Sequence, residues 1–276
     1  MGLLTIDETK CKRDGLCVAE CPTAVIQLKD EESYPELVPG GDQMCLRCGH
    51  CVAVCPHGAL SHAEVPLTDC QPIRKSAAVS HEQVVQFLRS RRSTRFFKDK
   101  PVEKETFQQL IDIARYAPTA SNAQIVEWVV ISDRDQVRDL AEKTIAWMRS
   151  VLEKDPQPAS APYMPMLVAA WDFGIDAVLR NAPGLVVAMA PKADPNGMVD
   201  LTLALSYLEL AAPGLGLGTC WAGLLQGALL SNRSLKPAAG IPEDFPHHYP
   251  MMIGYSKAKY YRLPERKKPK IKWKSE

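Results

Sequence analysis

The 276-residue sequence has almost no net charge: 33 Lys and Arg stand against 32 Asp and Glu, a formal +1 at pH 7. Such a balance offers no global field to draw nucleic acid or an anionic membrane surface. A long apolar run is also missing. The longest uncharged stretch, Leu210 to Asn232, is broken by Pro213, Gln226 and five glycines. It reads as helix, turn and strand rather than a membrane span. No secretory leader pattern opens the chain, because Met-Gly-Leu-Leu-Thr-Ile-Asp-Glu meets acid too early. A cytoplasmic chain with reduced thiols is the expectation. What is present, 46% apolar and 24% charged residues, fits a soluble globular protein of one large or two modest domains.

The even total hides two regimes. Residues 1–79 carry a net −4 and residues 80–276 a net +5, and eight of nine cysteines precede residue 71. The expected division is 1–65, a linker 66–79, and 80–276.

The cysteines carry the first chemistry. Cys45-x2-Cys48-x2-Cys51-x3-Cys55-Pro56 places thiolates at every third position of a tight loop. Such a loop can wrap an iron–sulfur cubane, while the fourth cysteine, before proline, ligates a neighbouring cluster. Gly15-Leu16-Cys17-Val18-Ala19-Glu20-Cys21-Pro22 repeats Gly49 to Pro56 at a shift of 34. Asp14 stands where the second run has Cys48. Val25-Ile26 and Ala59-Leu60 suit short shielding strands. Structural zinc prefers two separated cysteine pairs; it stays an alternative, as does a ferredoxin that has lost its clusters. Cys70 lies outside both runs and reads as a plain thiol.

Beyond the linker, Ser80-x-x-Gln83 forms a capping box opening a helix with Val84, Val85, Phe87 and Leu88 on one face. A helix over about 102–116, a strand over about 127–132 and a helix over 134–154 follow. A proline-rich loop covers 155–166. A buried strand is expected at 184–190, a helix apolar on nearly all sides at 199–212, a short helix from Leu224, and a last strand at 251–255. The mixture is α+β.

Three stretches here could bind a ligand. Arg91-Arg92-Ser93-Thr94-Arg95 offers guanidinium forks suited to phosphate, though basic helix ends are commonly just solvated. Thr119-Ala120-Ser121-Asn122-Ala123-Gln124 offers amides that donate and accept together, as a flavin pyrimidine edge requires; an ordinary Asx turn uses the same residues. Gly216-x-Gly218-Thr219-Cys220-Trp221-Ala222-Gly223 would let backbone approach a flat ligand, or simply allow tight packing. The last is not a dinucleotide fingerprint, since the glycine spacing differs and no βαβ unit surrounds it.

Residues 3–65 resemble a two-cluster bacterial-type ferredoxin. The three later stretches in this order, with Gly254-Tyr-Ser-Lys257-Ala-Lys259-Tyr-Tyr-Arg262, make residues 81–266 similar to the FMN-dependent nitroreductase family. The resemblance implies one [4Fe-4S] cluster on Cys45, Cys48, Cys51 and Cys21. It implies a second on Cys11, Cys17 and Cys55, with Asp14 giving an Asp-ligated [4Fe-4S] or a [3Fe-4S] cluster. It implies that Arg91, Arg92 and Ser93 hold the FMN phosphate and ribityl chain, with Arg95 near N1 and O2. Asn122 would meet the pyrimidine edge, with Ser121 and Gln124 beside it. Backbone N–H groups of Ala222 and Gly223 would face N5 and O4. Lys259 and Arg262 would close over the phosphate, with Lys257 a rival. An intertwined homodimer is implied, suiting the apolar 199–212 helix.

The implied fold is an N-terminal ferredoxin-like domain followed by a nitroreductase-type FMN-binding α+β domain. The favoured function is an oxidoreductase passing electrons from the clusters through FMN to a nitro, quinone or other unsaturated acceptor. A low-potential donor, ferredoxin or NAD(P)H, would feed it. The alternatives are an NAD(P)H-dependent nitroreductase with secondary clusters, or an electron carrier or redox sensor. No catalytic side chain is singled out. Residues 146–180 are expected to cover the flavin, with Trp147, Tyr163, Trp171 and Phe173 as candidate substrate walls. The basic tail from Lys257 reads as a solvated extension, or as an arm on a partner subunit or on the acidic N-terminal lobe.

Overall fold

A computed structural model describes residues 2–274. Its chain divides into two compact units, Met1–Ala78 with Ala120–Ala123, and Val79–Thr119 with Gln124–Glu276.

The first unit is built on the internal repeat. Strand β1 (Leu4–Ile6) pairs antiparallel with β4 (Leu60–His62), and β2 (Ile26–Gln27) with β3 (Glu36–Leu37). Three one-turn helices, α1 (Leu16–Ala19), α2 (Gly41–Met44) and α3 (His50–Val54), fill the rest. Helices α1 and α3 start in the same way. Gly15 and Gly49 take left-handed φ of 73° and 71°, and Arg13 and Arg47, two residues earlier, take 57° and 52°. A side chain at Gly49 is excluded twice, because its Cβ would also lie 2.7 Å from Val65. Val25, Ile26, Ala59 and Leu60 are buried as the repeat predicts. Cys70 packs against this small core, and residues 71–80 are exposed throughout.

The second unit is a four-stranded antiparallel sheet: β5 (Glu127–Ile131), β6 (Gly184–Ala190), β7 (Leu217–Trp221) and β8 (His247–Tyr255), in the order β5-β6-β8-β7. Around it run α4 (His81–Ser90), α5 (Lys104–Ala114), α6 (Arg134–Leu152), α7 (Met164–Asp172), α8 (Gly197–Ala211) and α9 (Gly223–Ser231). Strand β6 is buried along its whole length. Its Leu185, Val187 and Met189 join one apolar core, and Val186, Ala188 and Ala190 the other. Two-sided burial explains why this strand is a continuous apolar run instead of an alternation.

Two boundaries differ from the sequence reading. Helix α7 begins inside the proline-rich stretch, at Met164. Pro165 occupies its first turn, where a missing N–H costs nothing. Strand β8 starts at His247 and runs through Pro250. Proline withholds only its donor; its carbonyl accepts the Ala222 N–H at 3.0 Å. In the 146–180 segment, Trp147 and Trp171 pack against the core, while Tyr163 and Phe173 are exposed.

Helix α8 with its continuation to Leu215 is long and apolar enough to cross a bilayer by length and composition alone, at a mean hydropathy of 1.2. Here Leu201, Leu205 and Leu208 are fully buried in a sheet-facing core, and Asp200 and Glu209 are buried with them. Met198, Val199, Leu203 and Tyr207 remain exposed. Helix α4 carries the expected capping box, Ser80 and Gln83 each bonding the other's backbone N–H. None of its residues is buried, and Val84, Val85, Phe87 and Leu88 are left 37–50% exposed.

Candidate functional site

In the first unit the cysteines sort as the cross-over pattern requires. Cys21, Cys45, Cys48 and Cys51 line one cavity with Pro22, Val25 and His62. Cys11, Asp14, Cys17 and Cys55 line a second with Ile6, Leu60 and His57. Among the described residues no three such ligands converge on a single-ion position; the thiols stand around cavities instead.

The thiols are crowded and partly buried. Burial pushes the Cys51 thiol up to about 11, reinforced by Cys48, Cys45 and Cys17. Cys17 is pushed up as well, first by burial, and by Cys11 and Cys55 among its neighbours. Crowded, buried thiolates need positive charge among them, which iron supplies. Backbone N–H groups help: Val25 donates to Cys21 Sγ at 3.4 Å, Arg47 to Cys45 Sγ at 3.4 Å, and Ala59 to Cys55 Sγ at 3.3 Å. At Cys21 burial works upward, yet the N–H donors and Thr23 bring the thiol below its ordinary value. Asp14 accepts from Leu16 N–H at 3.2 Å and lies 3.5 Å from His57 Nε2, so its carboxylate has local partners of its own.

In the second unit the segment 91–98 is pinned against the ends of β7 and β8. Thr94 N–H donates to Thr219 O at 2.8 Å, Lys98 N–H to Tyr255 O at 2.7 Å, and Lys257 N–H to Phe96 O at 2.8 Å. This brings Arg91, Arg92 and Thr94 together with Gly218, Thr219, Ser256, Ala258 and Tyr260 around a cavity of about 180 Å³. Glu209, on α8, is a site residue that the sequence reading does not single out. It accepts from Arg91 Nη1 at 2.9 Å and from Trp221 Nε1 at 3.1 Å. Its signal is one carboxylate in the otherwise apolar Tyr207-Leu-Glu-Leu-Ala-Ala, where burial demands a partner.

The remaining expected residues scatter. Arg95 is exposed, but its charge reaches Cys220. Burial raises that thiol, and Arg95 and a Ser93 hydrogen bond only partly offset it. Cys220 therefore stays protonated and packs, as expected. Lys259 and Arg262 are exposed and do not line the cavity. Lys257 sits over the Phe96 ring, Nζ 5.0 Å from its centroid.

Two expected donors are engaged elsewhere in this structure. The Asn122 amide, expected at a pyrimidine edge, donates to Leu46 O at 3.1 Å and Arg47 O at 3.2 Å. It is held, with Ser121, in the 120–123 segment of the first unit. The left-handed turn at Arg47 leaves those carbonyls facing outward, and an amide satisfies them readily. Gln124 stays in the second unit and lines a smaller cavity with Arg115, Thr119 and Trp128. Ser121, Asn122 and Gln124 all have positive φ, 50°, 56° and 50°, a local cost that tends to mark functional segments. Ala222, expected to offer its N–H to a ligand, has committed it to Pro250 O. Gly223, at the first position of α9, keeps an N–H that the helix does not use.

At Gly218 the tight-packing alternative holds. A Cβ at Gly218 would lie 2.1 Å from Thr94 Oγ1 and 2.8 Å from its Cβ. Gly218 exists to let the 91–98 segment close on β7. Gly218→Ala is expected to cost about 1–3 kcal/mol by overpacking and to open the Arg91 cavity. A thermal midpoint unchanged from wild type would refute this.

With the geometry in hand, the comparisons with known proteins decide the family. The nitroreductase family profile matches residues 88–255. The chain belongs to the nitroreductase family. The 4Fe-4S dicluster domain profile matches residues 3–56, so this nitroreductase carries a 4Fe-4S dicluster domain at its N-terminus, and its fold is α+β in both parts. An Archaeoglobus fulgidus protein with a provisional NADH dehydrogenase/NAD(P)H nitroreductase name is 26% identical over 195 residues, 68% of this chain and 95% of that one. The Bacillus subtilis FMN reductase [NAD(P)H] is 27% identical over 147 residues, 52% of this chain and 55% of its own length. Among solved structures, a Bacteroides fragilis nitroreductase with bound FMN superposes with a TM-score of 0.55 at 18% identity, covering 68% of this chain and 95% of the other. Nitroreductase-family proteins are FMN-dependent oxidoreductases, and this chain is one of them.

Proposed function

We propose that this nitroreductase takes electrons in at its iron–sulfur domain and delivers them, at FMN in the second unit, to a small nitro, quinone or otherwise unsaturated organic acceptor. The observation that carries the reading is the Arg91–Arg92 cavity beside Gly218 and Ser256. The guanidinium groups of Arg91 and Arg92 around this cavity would hold a ribityl phosphate. FMN supplies hydride or single electrons at N5, and iron–sulfur clusters supply one-electron traffic.

The chain's own groups then divide the work. Arg91, Arg92 and Ser93 bind phosphate and ribityl oxygens. Arg95 places positive charge where the pyrimidine becomes anionic. The free Gly223 N–H at the α9 N-terminus donates toward N5 and O4, aided by the helix dipole. Gln124 contributes an amide near the pyrimidine edge. Lys259 and Arg262, or Lys257, come in over the phosphate. The Ala222 N–H is left out, because Pro250 O takes it; Asn122, with Nδ2 engaged, keeps Oδ1 to accept from the pyrimidine edge. Cys21, Cys45, Cys48 and Cys51 hold one [4Fe-4S] cluster. Cys11, Cys17 and Cys55 hold the other, with Asp14 as a hard fourth ligand or with a three-iron core. The uncovered apolar strips of α4 and α8 support a homodimer, since a soluble chain seldom leaves two such strips to water.

A second reading, direct reduction by NAD(P)H with the clusters secondary, is favoured by the names of the relatives. Stopped-flow mixing of anaerobic holoprotein separates the two. A reduced low-potential donor is expected to reduce the clusters first and the flavin after them, with NADPH slow. Rapid flavin bleaching by NADPH while the clusters stay oxidised overturns the proposal.

A further inference from the structure

The two cluster cavities are related by the internal repeat but are not equivalent: Asp14 replaces a cysteine in one, and Cys45 gains an extra donor in the other. His62 ends β4 and is 2% exposed. Its Nδ1 accepts the Glu64 N–H at 3.0 Å. An imidazole nitrogen that accepts an N–H carries no proton, so the neutral ring bears its proton on Nε2. That Nε2 faces Cys45 Sγ at 3.6 Å, an ordinary N–H···S separation. The Arg47 N–H reaches the same sulfur. Cys45 therefore receives two donors.

At a shift of 34, the counterparts of Cys45, Arg47 and His62 are Cys11, Arg13 and Leu28. Leu28 cannot donate, and among the described residues no donor reaches the Cys11 sulfur. Hydrogen bonds to cluster sulfurs draw off electron density and stabilise the reduced state, raising the reduction potential.

We infer that His62 is a positioning residue that donates Nε2–H to the Cys45 thiolate and raises the reduction potential of the cluster on Cys45, Cys48, Cys51 and Cys21. The inference rests on the cluster assignment of the first unit and not on the flavin chemistry. The backbone around His62 suits a fixed donor. Strand pairing with Leu4 and the Glu64 N–H hold the ring from both sides, so the donor is in place before any charge arrives.

The experiment is a redox titration of the anaerobic full-length protein followed by electron paramagnetic resonance, with iron and sulfide counted first. A protein without iron defeats the cluster assignment itself. With iron in place, His62→Leu, which installs the residue found at position 28, is expected to lower one cluster's midpoint and leave the other alone. At the wild-type midpoint the reduced-to-oxidised ratio of that cluster should fall roughly tenfold, equivalent to about 59 mV for one electron. His62→Gln keeps an N–H and should fall between. An unmoved midpoint at full iron content overturns the inference, as does an equal shift in both clusters. If His62→Leu loses iron, the wild-type protein with 15N-histidine decides: a nitrogen hyperfine coupling to one reduced cluster is expected, and its absence overturns the inference.

Discussion

Arg91→Ala is expected to release FMN and to lower the thermal midpoint, and adding Glu209→Leu is expected to recover the midpoint without recovering FMN. The reasoning starts from the pair itself. Glu209 is 8% exposed at its side chain and Arg91 29%, so the carboxylate is the more committed partner. Removing the guanidinium leaves a buried carboxylate with only the Trp221 indole N–H. Leaving a buried charge without its partner costs about 3–5 kcal/mol, toward the lower end here because water reaches the arginine side. The loss at the phosphate is separate. A charge-assisted hydrogen bond is worth about 1.5–3 kcal/mol, which weakens FMN roughly ten- to hundredfold. The double variant removes the orphaned charge but not the missing donor. Thermal melting and flavin fluorescence titration read the two effects independently. Wild-type FMN affinity in the double variant would show that Arg91 only balances Glu209. The pairing also explains how one arginine can do both jobs: Nη1 is taken by Glu209, and the fork has further donors to turn toward a phosphate.

Cys21→Ala is expected to abolish the cluster of the other repeat. Cys21 lies in the first run, yet it lines the cavity of Cys45, Cys48 and Cys51. A cubane missing a thiolate at one corner fails to assemble, so about half of the bound iron should go while the cluster on Cys11, Cys17 and Cys55 persists. Iron analysis with electron paramagnetic resonance checks this. Persistence of an unaltered four-iron signal from the second run would contradict the cross-over. The variant also leaves the Asp14 site as the sole remaining paramagnet. A three-iron signal in the oxidised state, or an atypical four-iron signal in the reduced state, is the outcome expected from a carboxylate corner. A spectrum of ordinary all-cysteine type would remove Asp14 from the ligand set.

Much of this is legible in the sequence, and the failures have specific causes. The cysteine spacing encodes its own geometry, because ligand loops are local. The capping box at Ser80 and the strand at 184–190 are local as well, and both appear where expected. The unread helix α7 and the late start given to β8 come from reading proline as a breaker. Pro165 sits at a helix start, and Pro250 still offers its carbonyl. Asn122 and Ala222 depart from expectation for a different reason. Their competing partners, Leu46, Arg47 and Pro250, lie far away in sequence, and no periodicity announces a long-range acceptor. His62 and Glu209 escape a sequence reading because each is a lone polar residue in an apolar setting. Only its neighbours in space, Cys45 for one and Arg91 with Trp221 for the other, give it a role.

Helix α4 has ten residues and buries none of them. A helix of that length is marginal in water when nothing packs on it, even with both capping bonds made. Its order must then be lent by whatever lies over Phe87 and Leu88. Arg91 follows directly on Ser90, the last residue of the helix, so on the proposed homodimer the grip on phosphate slackens as the cover departs, and dilution tunes how tightly the coenzyme is kept.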